Sequence, residues 1–320
     1  MGDDDNEAMS PDLAISTAPH GAVRLADWGV ITATGPDAAS FLHGQLTQDV
    51  LTLRDTELRL AGYCSAKGRL LATFLMWKRA PEQIMLACSA DLLAPTLKRL
   101  SMFVLRAKCK VADATAAVAL YGLAGPSAAA WLGSDAQGAP GSVRPRGDAQ
   151  LLRLRDGAGV PRWLLAAPAD SPAPALPELT HDAWRWLEVQ SAVPRIVAAT
   201  VEQFVPQMVN LEVVGGVNFQ KGCYPGQEIV ARSQYRGTLK RRMQRLESDT
   251  PVAAGQDIVH SADPGQPAGM IVLAAPGPLG RWSALGELKL GVLSLPGELS
   301  AGNARLTATS LPYTLPADAV

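Results

Sequence analysis

A short echo constrains the fold of this chain more than any other feature. Gly35-Pro36-Asp37-Ala38-Ala39-Ser40-Phe41-Leu42 returns as Gly125-Pro126-Ser127-Ala128-Ala129-Ala130-Trp131-Leu132, and a strand-like run precedes each copy, Val30 to Thr34 and Ala117 to Leu123. Proline suits the first turn of a helix, because its φ is already helical and the N–H it lacks would have no intrahelical partner. Each copy therefore reads as a strand, a Gly-Pro turn and an amphipathic helix. That succession is common, so chance in an Ala-rich chain is the competing explanation. The following segments favour duplication, since Arg69 to Cys88 and Ser142 to Ala167 both read as runs of strands. The expected fold class is α+β, with two related α+β subdomains packed together.

The rest of the chain fits around this pair. Val23 to Thr34 reads as two short strands about Asp27-Trp28-Gly29, and the first Gly-Pro helix puts Ala38, Phe41, Leu42 and Leu46 on one side with Gln45 at its edge. Glu57 to Tyr63 adds a strand, and Asp91 to Phe103 is a helix carrying Leu92, Leu93, Leu97, Leu100 and Phe103 on its apolar face. Pro168 to Pro177 is an extended, exposed loop. His181 to Val193 reads as a helix with Trp184 and Leu187 on one side and Arg185 and Glu188 near its rim. From Pro251 onward, short β-runs with frequent Gly and Pro suggest a small antiparallel barrel. The expected division is a disordered acidic tail over residues 1–20, α+β subdomains over 21–113 and 114–180, a connecting core over 181–245, and the barrel over 246–320.

With 320 residues, 48% of them hydrophobic, the chain can bury a sizeable core in two or three domains. Its net charge of −1 supplies no global attraction to nucleic acid or to a membrane, so neither is expected as a partner. No apolar run is long enough to span a bilayer. Gly2-Asp3-Asp4-Asp5-Asn6-Glu7 lacks the basic start and apolar core of a signal peptide, so a cytoplasmic location is expected. Cys64, Cys88, Cys109 and Cys223 form no C-x-x-C pair, and His20, His43, His181 and His260 show no ligand spacing. No metal site is expected, and scattered cysteines are poor evidence for a permanently bound iron–sulfur cluster.

The segment that packing explains worst runs from Lys221 to Arg232: Lys-Gly-Cys-Tyr-Pro-Gly-Gln-Glu-Ile-Val-Ala-Arg. Pro225 and the helix-compatible residues after it predict a helix starting near Tyr224 or Pro225, with Cys223 just ahead of it. A thiol there ionises more easily, because unpaired N–H groups favour an anion and Lys221 adds a positive charge. Tyr224, Gln227 and Glu228 would shape a pocket by hydrogen bonding, and Arg232 would pair with Glu228 four residues away. The competing reading is a buried cysteine in a tight turn.

Lys221-Gly222-Cys223-Tyr224-Pro225-Gly226-Gln227-Glu228 resembles the signature of the YgfZ family, folate-binding proteins connected with iron–sulfur cluster assembly and related to the T-protein of glycine cleavage. Phe41-Leu42-His43-Gly44-Gln45-Leu46-Thr47-Gln48-Asp49-Val50, Gly62 to Arg69 and Phe204 to Leu211 resemble further family segments in the same order. The resemblance covers the chain from about residue 22 to its end. It implies a T-protein-like arrangement of three domains around a central cavity, with tetrahydrofolate or a related reduced folate as cofactor. It also implies a reactive Cys223 with Lys221 beside it, and iron–sulfur client enzymes or assembly proteins as partners. Glu188, in Trp186-Leu187-Glu188, resembles the glutamate that holds the pterin ring; a carboxylate can accept both parallel N–H groups of a pterin edge. Gln45 is a second candidate ligand residue, and the Lys221 loop is expected to close the cavity. The T-protein's Asp pair aligns with Ala72-Thr73, neither of which can move a proton, so aminomethyl transfer is not expected.

Arg232, Arg236, Lys240, Arg241, Arg242 and Arg245 form a local basic run. It is either a solvated edge or a surface for the folate tail, an acidic partner or, ranked last, RNA. Two alternatives to the maturation role stay open: a folate-dependent one-carbon transferase, and a non-catalytic folate-binding scaffold in which Cys223 is structural.

Overall fold

The computed structural model describes residues 18–235 and 239–316. The chain enters through β1 (Gly21–Arg24) and β2 (Trp28–Thr34), turns into helix α1 (Ala38–His43), and continues as β3 (Leu58–Cys64), β4 (Leu70–Ala80) and β5 (Gln83–Ser89). Helix α2 (Ala90–Val104) and β6 (Lys110–Asp113) follow. The second half repeats this order with β7 (Val118–Ala124), α3 (Gly125–Leu132), β8 (Val143–Arg146), β9 (Ala149–Arg153) and β10 (Arg162–Pro168).

The two sheets have the same strand order. One runs β3-β4-β5-β2-β6 and the other β8-β9-β10-β7-β1. Equivalent strands therefore occupy equivalent places, with one exchange: β1, which leads into the first half, pairs with β7, while β6, which leads into the second, pairs with β2. Each half lends its leading strand to the other sheet. Residues 21–24 consequently belong to the second sheet, which corrects the expected 21–113 division. His20 and its neighbours are also not a loose tail, since Ala18 packs on the core and His20 Nδ1 lies 3.1 Å from Ser127 Oγ. Residues 1–17, the remainder of the expected tail, lie outside the described residues.

The central strands β4, β5, β7 and β10 are buried on two faces and read as nearly continuous apolar runs for that reason. Side chains alternate between two cores. In β4 and β5, Leu75, Trp77, Met85 and Ala87 face the second sheet, while Phe74, Met76, Ile84, Leu86 and Cys88 pack beneath α1 and α2. In β7 and β10, Val118, Leu120, Leu164 and Ala166 face back, and Ala119, Leu123, Trp163 and Leu165 pack under α3 with Ala128 and Leu132. The result is a face-to-face pair of sheets, each covered outside by its own helices.

Helix α4 (His181–Gln190) leaves this sandwich for the last domain. Thr180 caps it by accepting the Ala183 N–H at 3.1 Å. Trp184 and Leu187 remain in the inter-sheet core and Val189 enters a separate core with Leu273, Ala275 and Leu285, so the helix bridges the domains. After helix α5 (Gln227–Tyr235), six antiparallel strands close a barrel: β11 (Arg241–Ser248), β12 (Asp257–His260), β13 (Asp263–Pro276), β14 (Trp282–Lys289), β15 (Leu299–Ala301) and β16 (Ala304–Thr309). The barrel thus opens at Arg241, ahead of the expected boundary at 246. Among the described residues no helix is long and apolar enough to cross a membrane.

Candidate functional site

A cavity of about 300 Å³ opens between the two sheets and the segment that follows α4. Its volume is at the lower end of the roughly 300–1,000 Å³ usual for ligand sites. Trp28, Leu60, Phe74, Leu75 and Leu154 give it apolar walls; Arg59, Arg153, Arg155, Arg162 and Arg195 line it, with Glu188 the one acidic lining residue among those described.

Helix α4 supplies Glu188, and the chain beyond it supplies Arg195. Ser191 Oγ donates to the Glu188 carbonyl at 2.7 Å, and Ile196 N donates to Thr73 Oγ1 at 3.0 Å, which pins this extended segment to β4. Arg195 Nη2 then lies 3.1 Å from both Glu188 Oε2 and Asp27 Oδ2, and Arg185 Nε reaches the same Asp27 oxygen at 3.3 Å. Burial pushes the Glu188 carboxyl above the ordinary carboxylate range, with the Arg195 guanidinium opposing the shift. Glu188 Oε2 is engaged; no hydrogen bond to Oε1 occurs among the described residues, so the carboxylate keeps acceptor capacity toward the cavity. Arg195 also stacks over Trp28, with its guanidinium carbon 4.9 Å from the ring centroid.

Arg162 completes the polar wall. It is 3% exposed, its Nε donates to the Arg155 carbonyl at 3.1 Å, and its guanidinium carbon lies 5.2 Å from the Trp184 ring centroid. Burial lowers its pKa to about 10, so it remains a cation at neutral pH. Trp184 is a core residue, and Trp186 donates from Nε1 to Ser283 Oγ at 3.1 Å, as part of the contact between α4 and the barrel.

The signature segment is a second place on the molecule. None of residues 221–232 lines the cavity, and neither does Gln45, so the expected closure by the Lys221 loop and the expected ligand role of Gln45 are not what the geometry provides. The loop packs instead on the end of α1 and on the turn between β3 and β4. Lys221 Nζ donates to the carbonyls of His43 and Leu46, the latter at 2.8 Å, and lies 4.7 Å from the Tyr224 ring centroid. A cation at the exposed carbonyls after a helix end is favourable, yet burial still lowers the Lys221 pKa to about 8, with Asp49 and Cys223 opposing. Lys221 is therefore an anchor for the loop. Beside it, His43 Nδ1 lies 3.1 Å from Asp49 Oδ1, and a Cβ on Gly222 would stand 3.4 Å from His43 Nε2.

The helix after the loop starts later than Pro225 predicts. Gly226 has φ +79°, and a Cβ there would lie 2.3 Å from the Ser65 carbonyl oxygen, so tight packing on the turn between β3 and β4 delays α5 to Gln227. Cys223 is exposed and lies four residues ahead of that helix, outside its first turn. Glu228 and Arg232 are both exposed and make no ion pair among the described residues, and no side-chain hydrogen bond is made there by Tyr224, Gln227 or Glu228. Tyr224 is buried and serves as the platform for the Lys221 ammonium.

A short covalent path joins the two places. Val214 and Gly215 line the cavity, Gln48 Nε2 donates to the Gly215 carbonyl at 2.6 Å, Thr47 Oγ1 donates to the Gly216 carbonyl at 2.6 Å, and Asn218 N donates to the Thr47 carbonyl at 2.9 Å. The basic run, by contrast, is dispersed. Arg242 is 1% exposed and paired with Glu212, Arg241 holds Glu287 at 2.8 Å, and Arg245 Nη1 donates to Gln190 Oε1 at 2.8 Å. Neither one solvated edge nor one basic surface describes it; Arg236 lies outside the described residues. Sequence reading also missed Arg162 and Arg195. The local cue for Arg195 is Pro194, which marks an extended stretch shortly after Glu188.

No family model matches the sequence. The fold aligns with the glycine cleavage system aminomethyltransferase T from Bartonella henselae at a TM-score of 0.73, covering 92% of this chain and 87% of that one at 20% identity. The architecture is thus that of the aminomethyltransferase T-proteins. Among curated relatives, the tRNA-modifying protein YgfZ of Edwardsiella ictaluri is 36% identical over 249 residues, 73% of this chain and 72% of that protein. The protein of the same name from Vibrio vulnificus is 33% identical over 254 residues, 75% of this chain and 74% of the relative. The chain belongs to the YgfZ family.

Proposed function

We propose that this protein binds a reduced folate, tetrahydrofolate or a close relative, in the arginine-lined cavity and serves in the assembly or repair of iron–sulfur clusters in client enzymes, with Cys223 as the working thiol. One observation carries the ligand: Glu188 presents a buried carboxylate with spare acceptor capacity to an apolar cavity large enough for a pterin ring. The surrounding arginines suit the anionic tail of a folate. Aliphatic and aromatic walls supply the ring's apolar contacts. The relatives' name points to tRNA modification. With a net charge of −1, and with Arg241 and Arg242 of its basic run engaged in ion pairs and Arg245 bonded to Gln190, the chain is better suited to act there through a client enzyme than by binding tRNA itself.

Calorimetric titration with tetrahydrofolate tests the ligand. Glu188→Ala is expected to cost about 1.5–3 kcal/mol of binding, the loss of hydrogen bonds to a charged acceptor. That is a weakening of about 10- to 150-fold. Unchanged affinity in the variant removes Glu188 from the site.

The one-carbon transferase reading is opposed by the residues at this point of β4. Thr73 lines the cavity and accepts a hydrogen bond from the Ile196 N–H, while Ala72 is buried in the core on the other face of the strand, so neither offers a proton-handling carboxylate to the ligand. No aminomethyl transfer above background is expected in an assay with a glycine-cleavage carrier protein and tetrahydrofolate. Turnover at the order of 1 s⁻¹, within the ordinary enzyme range, would promote the transferase reading.

A further inference from the structure

Glu188 shares the cavity wall with a second buried charged residue, Arg162, that has no assigned purpose. Of the Arg162 nitrogens only Nε is engaged by the protein; Nη1 is buried without a partner, and no hydrogen bond from Nη2 occurs among the described residues. A buried guanidinium normally has its donors satisfied, because each unmet N–H forfeits its hydration. Here the side chain is held in place by the Arg155 carbonyl and the Trp184 ring, it lines the same cavity as Glu188, and the two charges interact. Shape is fixed while donors are left over.

We infer that Arg162 is the specificity-determining donor of this cavity, reading a ring carbonyl oxygen next to the N–H groups that Glu188 accepts. The recognised chemistry is an amino-oxo-pyrimidine edge: an exocyclic amino group, a ring N–H and a carbonyl oxygen in succession. An acceptor beside a donor complements that edge. It opposes the 2,4-diamino edge, in which the carbonyl is replaced by a second amino group and donor meets donor. Pterins and guanine both carry the recognised edge, so the ligand class is set by the edge and its source by the rest of the cavity. The inference deepens the folate reading and rests on it for the pterin source.

Folic acid and aminopterin differ at this position, one bearing oxygen and the other an amino group on the same ring carbon, apart from consequent ring protonation. Guanosine and 2,6-diaminopurine riboside form the corresponding purine pair. The wild-type protein is expected to bind folic acid at least about tenfold more tightly than aminopterin, because an unpaired buried donor rejects the mismatched analogue. Arg162→Met keeps the stem and removes the donors, and is expected to bring the ratio close to one. Arg162→Lys, which restores a donor, is expected to recover part of the preference. A merely structural arginine would weaken both ligands together and leave the ratio unchanged.

A wild-type protein that does not distinguish the members of either pair overturns the inference even if neither variant folds. So does an unchanged ratio in a folded Arg162→Met protein. If folic acid and tetrahydrofolate both fail to bind while guanosine binds over its diamino analogue and Arg162→Met abolishes that preference, the edge reading stands and the folate reading falls. If no member of either pair binds, both fall. Tetrahydrofolate binding that depends on Glu188, together with an Arg162-independent ratio, leaves the folate reading standing and sinks this one alone.

Discussion

Arg195→Met is expected to cost about 3–5 kcal/mol of folding stability, the usual penalty for removing one partner from a buried ion pair. Arg195 serves two carboxylates at once, with Nη2 3.1 Å from Glu188 Oε2 and 3.1 Å from Asp27 Oδ2. Burial acts to raise the Asp27 pKa, and Arg195 and Arg185 together outweigh it, holding the carboxyl below its ordinary value. Methionine keeps the stem that packs over Trp28, so the loss reports charge more than volume. Asp27 retains Arg185, whereas Glu188 loses the one hydrogen-bond partner its carboxylate has among the described residues. Neutralising that orphan with Glu188→Gln should therefore recover at least about 1 kcal/mol in the double variant, as coupled neighbours do. Urea unfolding of the two single variants and the double supplies the cycle. A cost within about 0.5 kcal/mol for Arg195→Met, the range of an ordinary surface change, would mean the cavity wall does not depend on this ion pair.

The same residues show what local sequence can and cannot convey. The strands β4, β5, β7 and β10 were legible as apolar runs, but because both their faces are buried the sequence carried no alternation to say which side chains enter which core. The repeated helices α1 and α3 were legible for a similarly local reason, although only α3 starts at its Gly-Pro and α1 begins two residues after Pro36, at Ala38, and the many short β-runs after Pro251 announced the barrel. The exchange of β1 and β6 was not legible: a four-residue strand carries too little pattern to choose between two nearly equivalent sheets. Pro225 gave the wrong helix start because the backbone of Gly226 is set by Ser65 and Gly68, contacts distant in sequence. Arginine was the hardest residue to read. Arg242 and Arg195 differ little in local setting from a surface charge, and only the fold brings Glu212 to one and Asp27 and Glu188 to the other. The family resemblance pointed to Glu188, but the partners that tune it come from the turn between β1 and β2, from β10 and from the stretch beyond α4.

Cys223 is expected to be the first of the four cysteines to react with a thiol reagent, and its loss to abolish function without unfolding the chain. It is the exposed thiol; Cys64 and Cys88 are buried and Cys109 is partly covered. Burial pushes the Cys64 and Cys88 thiols up to about 12, and burial together with Asp37 raises that of Cys109, so none of the three supplies appreciable thiolate at neutral pH. Alkylation of Cys64 and Cys88 must wait for local opening, which should make Cys223 faster by at least about 100-fold. The loop that presents it is held independently of the sulfur, by Lys221 on the carbonyls of His43 and Leu46 and by Gly226 against the turn between β3 and β4. Cys223→Ala should accordingly change stability by no more than about 0.5 kcal/mol, as exposed substitutions do. Its binding of tetrahydrofolate should match that of the wild type, because the cavity wall does not include the loop. In cells lacking the native protein, the variant should fail to restore the activity of iron–sulfur enzymes while the wild type succeeds. Thiolate sulfur is a ligand for iron and a nucleophile toward persulfides, so its removal strikes the step assigned to the loop and spares the step assigned to the cavity. Full complementation by Cys223→Ala, with Cys223 the slowest thiol to alkylate, would make the residue structural and leave a folate-binding scaffold as the surviving reading.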